Sequence, residues 1–179
     1  KGNEIPSLEL ILTSQEDCLN STRVILIVED NSKLELLQVG LGSNSSAISH
    51  NIEIYLGKNS FLNHGLIALG RGNGSLLGNL KVEQKEYSEY QLTSLQHGWT
   101  ISRLEPQVIQ TQGKAKTILK GLQVSEYEQQ ISTFSSVQFD GPEGDLDQLQ
   151  KAAAGDHSHC IFNGAIKVPQ EAQKTNASQ

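Results

Sequence analysis

The sequence predicts an all-β protein, and within that class a right-handed parallel β-helix, or β-solenoid, forming a single core domain over residues 1–179. Three observations carry this. Hydrophobic residues make up only 36% of the chain and aromatics 5%, while Gly, Asn, Ser and Gln are plentiful; that mix suits short strands with tight corners better than a helical bundle. Short runs of alternating or continuous apolar residues recur at intervals of about ten to fifteen residues, with turn residues between them. Hairpin signals are thin. Asn73-Gly74 could close a hairpin, but Asp140-Gly141 runs into proline and an acidic loop, and Asn163-Gly164 lies inside an apolar run. In a parallel β-helix each strand meets its counterpart one coil later, so Gly and Asn gather at corners and aliphatics point inward.

In chain order, Leu8–Thr13 is the first expected strand and residues 14–22 a polar loop. Arg23–Glu29 is apolar on both faces, the pattern of a strand covered on both sides. Asp30-Asn-Ser is a turn signal, residues 33–39 form a strand, and residues 40–46 form a loop. In His50–Gly57, Ile52, Ile54 and Leu56 share one face, and Phe61–Leu69 continues the theme. Gly70-Arg-Gly-Asn-Gly74 invites comparison with a phosphate loop. It lacks the Gly-Lys-Ser/Thr ending and no helical pattern follows, so it reads as a corner. Further strands are expected at Leu76–Val82, Tyr90–Leu95, Thr100–Leu104, Gln107–Thr111, Lys116–Val124 and Ile131–Phe139. One short helix is expected near residues 145–154. Asp145 stands as N-cap with Gln148 three residues on, Leu146, Leu149 and Ala153 form a stripe, and Gly155 follows as terminator. The last strand centres on Asn163-Gly164, with Cys160, Phe162, Ile166 and Val168 on one face and Pro169 ending the run.

Net charge is −6 with few aromatics and no basic cluster, which argues against nucleic-acid binding. No run reaches the length of a membrane span. The absence of any methionine makes Lys1 an unnatural start, so the sequence is expected to be a segment of a longer chain. Cys18 and Cys160 lie far apart and read as two reduced thiols of a cytoplasmic protein. Asn20, Asn44, Asn73 and Asn176 begin formal glycosylation acceptors, which arise easily by chance in a chain this rich in Asn and Ser.

The sharpest candidate for chemistry is His157-Ser-His159-Cys160. On a strand, the two histidines would project from one face and could share a metal, with Cys160 pointing the other way. A closed site needs four ligands and no partner pair is near in sequence, so edge histidines beside a core thiol are the plainer reading and no metal site is assigned. Asp140, Glu143, Asp145 and Asp147 make an acidic loop whose spacing does not match a calcium loop. His50, His64 and His97 each stand without a visible partner, and Trp99 beside Gly98 reads as a packing anchor. No nucleophile, base and orienter assemble, so no catalytic residue is assigned and the chain is not read as an enzyme.

The run Ser158-x-x-x-Phe-Asn-Gly-x-Ile-x-Val-x-x-x-Ala-x-Lys-Thr-x-x-x-Gln179 resembles the signature of the SufB/SufD family of iron–sulfur cluster assembly proteins. Ile101-Ser-Arg-Leu-Glu-Pro, Gly113 and Leu119-Lys-Gly-Leu-Gln-Val124 are similar to that family's preceding coils, and the loop at Gly141-Pro-Glu-Gly is similar to the SufD branch of cyanobacterial and plastid type. The resemblance implies the same β-helix. It also implies a non-catalytic scaffold that pairs with a SufB-like subunit and with a SufC-like ABC-type ATPase, the latter on a C-terminal helical domain, with homodimerisation as a further option. It implies an iron–sulfur cluster in the full complex rather than on this segment, and a cytoplasmic or plastid-stromal setting. Within it, Phe162, Asn163 and Gly164 in one coil and Arg103 in its matching strand would be structural. The alternatives are a secreted carbohydrate-active β-helix, supported by the acidic loop and the acceptor sites, or an all-β interaction module.

Overall fold

A computed structural model describes residues 6–179. Among these, one parallel sheet is built, in order, from β1 (Leu8–Thr13), β3 (Lys33–Leu41), β5 (Phe61–Leu69), β7 (Glu89–His97), β9 (Lys116–Ser125), β11 (Asp145–Ala154) and β13 (Asn176–Ser178). The second is built from β2 (Leu19–Val28), β4 (Ala47–Leu56), β6 (Ser75–Gln84), β8 (Ile101–Gln110), β10 (Gln130–Phe139) and β12 (His159–Lys167). Successive strands alternate between the sheets and every pairing is parallel, so the chain winds as a β-solenoid with two strands per coil.

The coil length follows from the register. Leu8 pairs with Leu36, Leu36 with His64 and His64 with Leu92, each step 28 residues long. Half of that is the distance between corners: the left-handed residues Asp17, Asn31, Ser45 and Asn59, with φ of 52–58°, stand 14 residues apart. Short polar side chains tolerate that conformation by bonding locally. Ser46, Ser60 and Ser88 then donate their hydroxyls back to the carbonyls of Ser43, Gly57 and Lys85 at 2.7–2.8 Å. The wealth of Asn and Ser in the composition is therefore spent at corners.

Between corners, alternate side chains enter the space between the sheets. In β4, Ile48, His50, Ile52, Ile54 and Leu56 are all buried while their neighbours face outward. One coil departs from the 28-residue step. Ser75 pairs with Ile101, 26 residues on, because the corner before β8 holds only residues 98–100 where the corner before β4 holds 42–46. Trp99 turns inward there and is fully buried, its indole lying across Gly42, Gly70 and Gly74. A methyl group on Gly42 or Gly70 would stand 2.3 Å or 2.6 Å from the indole carbons, so these positions are held open for the ring.

Three sequence expectations are corrected. Residues 145–154 are the strand β11, not a helix, paired residue for residue with β9 from Lys116 to Ser125. Asp145 is no N-cap: its N–H donates to Ala115 O, and its carboxylate accepts from Asn176 Nδ2 at 2.9 Å. The preceding coil offers a strand edge whose hydrogen bonds outweigh local helix propensity. The alternation was hidden because the inward residues after Leu146 are Gln148 and Gln150 rather than aliphatics. Because Leu149 points outward and is 47% exposed, Leu149→Gln is expected to change stability by no more than about 0.5 kcal/mol. A urea melt showing a loss of 2 kcal/mol or so would restore the buried helical stripe.

The expected strands Thr100–Leu104 and Gln107–Thr111 are one strand, β8, passing through Pro106. Its ladder with β10 skips from Leu104 to Gln107, where proline has no N–H to give. Finally, the start of β2 takes in Leu19–Thr22, expected as loop, and the strand is not covered on both faces: Ile25 and Ile27 are 57% and 68% exposed on the outer side.

Candidate functional site

The candidate constellation at residues 157–160 is split between two kinds of structure. His157 belongs to the corner before β12 and His159 opens the strand, so they are not the strand neighbours expected from their spacing. Both are exposed, and their backbone N–H groups donate to Tyr127 O and Gln129 O of the preceding coil at 2.9 and 2.8 Å. Cys160 faces inward, as expected. Its Sγ lies 3.1 Å from Ser125 Oγ, which donates to Ser158 Oγ at 2.8 Å; Ser158 in turn donates to Gly155 O at 2.6 Å. All of these partners are neutral oxygens, and no cation touches the thiol to favour its nucleophilic form. Cys18 and Cys160 are both free thiols, one at each end of the stack. Among the described residues, no group of three or more His, Cys, Asp or Glu side chains is placed to hold a metal ion.

Behind Cys160 the interior turns polar, which the sequence reading missed. Gln123 Nε2 donates to Thr133 Oγ1 at 3.0 Å and to Ile161 O at 3.1 Å; Gln96 Nε2 reaches the same Thr133 hydroxyl at 2.8 Å, and Ser102 donates to Gln96 Oε1 at 2.6 Å. Near the opposite corners, Thr117 donates to Gln84 Oε1 at 2.6 Å and Gln110 Nε2 donates to Thr117 Oγ1 at 2.9 Å. Gln148 Nε2 donates to Ser135 Oγ at 2.6 Å. The signal was present, since Gln84, Gln96, Gln110, Gln123 and Gln148 all stand in phase with the aliphatics of their strands. A period-2 search confined to apolar residues cannot find them.

His64 and His50 are buried in the earlier coils, not at the surface. Gln38 Oε1 can only accept, so His64 Nε2 carries a proton and donates to it at 3.1 Å; His64 Nδ1 then accepts the Tyr90 hydroxyl at 3.0 Å. Burial, with a smaller contribution from nearby His50, lowers the pKa of His64 from 6.5 to about 3. Burial alone lowers that of His50 and raises that of Tyr90. These groups are therefore neutral parts of the core. His97 donates or accepts at the carbonyl of Val124, 3.2 Å away.

The remaining candidates lie outside the core. Arg103 projects from the outer face of β8, over the Phe134 ring at 4.1 Å and paired with Glu105. It shares a sheet with Phe162, Asn163 and Gly164, two coils away through β10. Gly164 makes room not for backbone but for the side-chain amide of Gln179, which a methyl group there would meet at 2.1 Å. The acidic residues are dispersed: Asp140 accepts from Gln138, Asp145 is engaged by Asn176, and Glu143 is a left-handed corner residue.

The whole stack matches one family model. The model described as the core domain of SufBD proteins, of the SUF system of iron–sulfur cluster assembly, covers residues 10–179. Among individual proteins, the chain is 28% identical over 172 residues to an iron–sulfur cluster assembly SufBD family protein of Synechocystis, covering 88% of this chain and 37% of the relative. It is 25% identical over 165 residues to the chloroplastic protein ABCI7 of Arabidopsis thaliana, covering 90% and 35%. It is also 25% identical over 167 residues to the iron–sulfur cluster assembly protein SufD of Plasmodium berghei, covering 92% and 12%. The chain thus spans little more than a third of the length of these relatives at most.

Proposed function

We propose, for a chain that belongs to the SufBD core-domain family of the SUF iron–sulfur cluster assembly system, that it is the rigid core of a non-catalytic scaffold subunit. The supporting observation is that the family match, residues 10–179, coincides with the uninterrupted parallel stack from β1 to β13. A parallel stack of this kind fixes distant surfaces relative to one another, because each coil is hydrogen-bonded to the next along its length. The described side chains offer hydrogen-bonded core polar groups and dispersed surface charges, which suits support rather than turnover.

In this reading the protein works in an assembly with a SufB-like subunit and a SufC-like ATPase. The iron–sulfur cluster is the cargo of that assembly, and no residue of this chain is assigned as its ligand. The name of the Arabidopsis relative places that protein in the chloroplast, and a plastid or bacterial cytoplasmic setting follows for this one by analogy. The test is co-purification. The protein that carries this chain, and residues 1–179 alone, are each expressed with SufB-like and SufC-like subunits of the same organism. The longer form is expected to retain both partners, and the segment to lose the ATPase. Retention of neither partner by either form, at micromolar concentration, overturns the scaffold reading.

A further inference from the structure

Two features meet behind the inner face of β4. His50 is 2% exposed; its Nδ1 lies 2.7 Å from Thr22 Oγ1, and its Nε2 is buried with no partner. With Nδ1 engaged toward β2, Nε2 on the far side of the ring looks into the space between the sheets. A cavity of about 20 Å³ lies there, lined by His50, Gln38, Gly40, Gly78 and aliphatic side chains. The void exists because two inward positions carry no side chain. A methyl group added at Gly40 would meet nothing within 4 Å, and one at Gly78 would find Leu104 Cδ1 at 3.1 Å.

We propose that this cavity is a binding site for one water molecule, held by His50 Nε2 and the side-chain amide of Gln38. The volume suits a single water, which needs about 10–15 Å³ by the same measure, and it admits nothing larger. The polar requirement is met as well. His50 Nε2 has no other partner, and Gln38 Oε1, already accepting from His64, keeps a second lone pair. A neutral ligand that both donates and accepts is needed, whichever nitrogen of His50 carries the proton. The bound water completes a chain of hydrogen bonds from Thr22 through His50, water, Gln38 and His64 to Tyr90, tying the two sheets together across the core.

The sign of one substitution tests this. Gly40→Ala places a methyl group in the cavity and expels the water. If the water is bound, the loss of the His50 partner lowers the folding equilibrium constant about tenfold, measured by urea melts on the whole protein. In a His50→Leu background nothing there needs the water, and the same Gly40→Ala change raises the constant by about threefold through reduced chain entropy and a filled void. A rise in both backgrounds means a dry cavity and overturns the proposal. An equal fall in both means a steric clash and overturns it too. As a direct readout, a long-lived water is expected to show magnetisation transfer to the Ala68 methyl, lost in Gly40→Ala; no transfer in the unmodified protein counts against the site.

Discussion

Replacing Trp99 by alanine is expected to lower stability by about 3–5 kcal/mol, the largest single loss in the first four coils. The indole is fully buried in a corner two residues shorter than its counterpart before β4, and it fills a slot left by three glycines of neighbouring corners. Truncation removes its burial and leaves a cavity that stacked backbone, fixed by hydrogen bonds from coil to coil, cannot close. The converse change tests the same contact from the other side. Gly42→Ala puts a methyl group 2.3 Å from the ring and is expected to cost about 1–3 kcal/mol by overpacking. In the Trp99→Ala background that cost should vanish. Urea denaturation decides it: a midpoint unchanged in Trp99→Ala, or a Gly42→Ala penalty that persists without the indole, removes the slot from the account.

The second large effect is acid sensitivity. His64 has a pKa near 3 in the folded chain against 6.5 when exposed. Above pH 6.5 it is neutral in both states and contributes no pH dependence. Below that value the unfolded chain takes up a proton that the folded chain refuses. Stability therefore falls as pH falls, by about 1.4 kcal/mol per unit, until the folded pKa is reached. His50, lowered by burial as well, adds in the same direction. At pH 4.5 the His64 contribution alone amounts to about 3 kcal/mol. His64→Gln keeps a donor for Gln38 and an acceptor for Tyr90 but cannot titrate. The difference in unfolding free energy between wild type and His64→Gln, followed from pH 7.5 to 4.5, should change with a slope of about one proton. A difference that stays flat across this range would show that His64 is not buried neutral.

What could be read in the chain was whatever apolar alternation and corner chemistry write locally. Ile52, Ile54 and Leu56 announce β4, and the Asn-Ser corners recur at 14-residue spacing, although that period went unread because the shortened corner at residues 98–100 and the longer last coils blur it. The inward direction of Cys160 was likewise legible, because a period of two fixes it. By itself the sequence thus determined an all-β solenoid, its family and most strand positions, since each strand needs one face of suitable residues. Only the tertiary structure decided the rest. Whether residues 145–154 form helix or strand depends on β9 lying alongside to take up their hydrogen bonds. Whether His64 is a surface group or a neutral core member depends on Gln38 and Tyr90, each 26 residues away along the chain. Likewise Gly42 and Gly70 are open positions until Trp99 arrives from one and two corners further on. A solenoid places residues about 28 apart in contact, and the partners that settle a polar or helical-looking residue lie one coil beyond any local window.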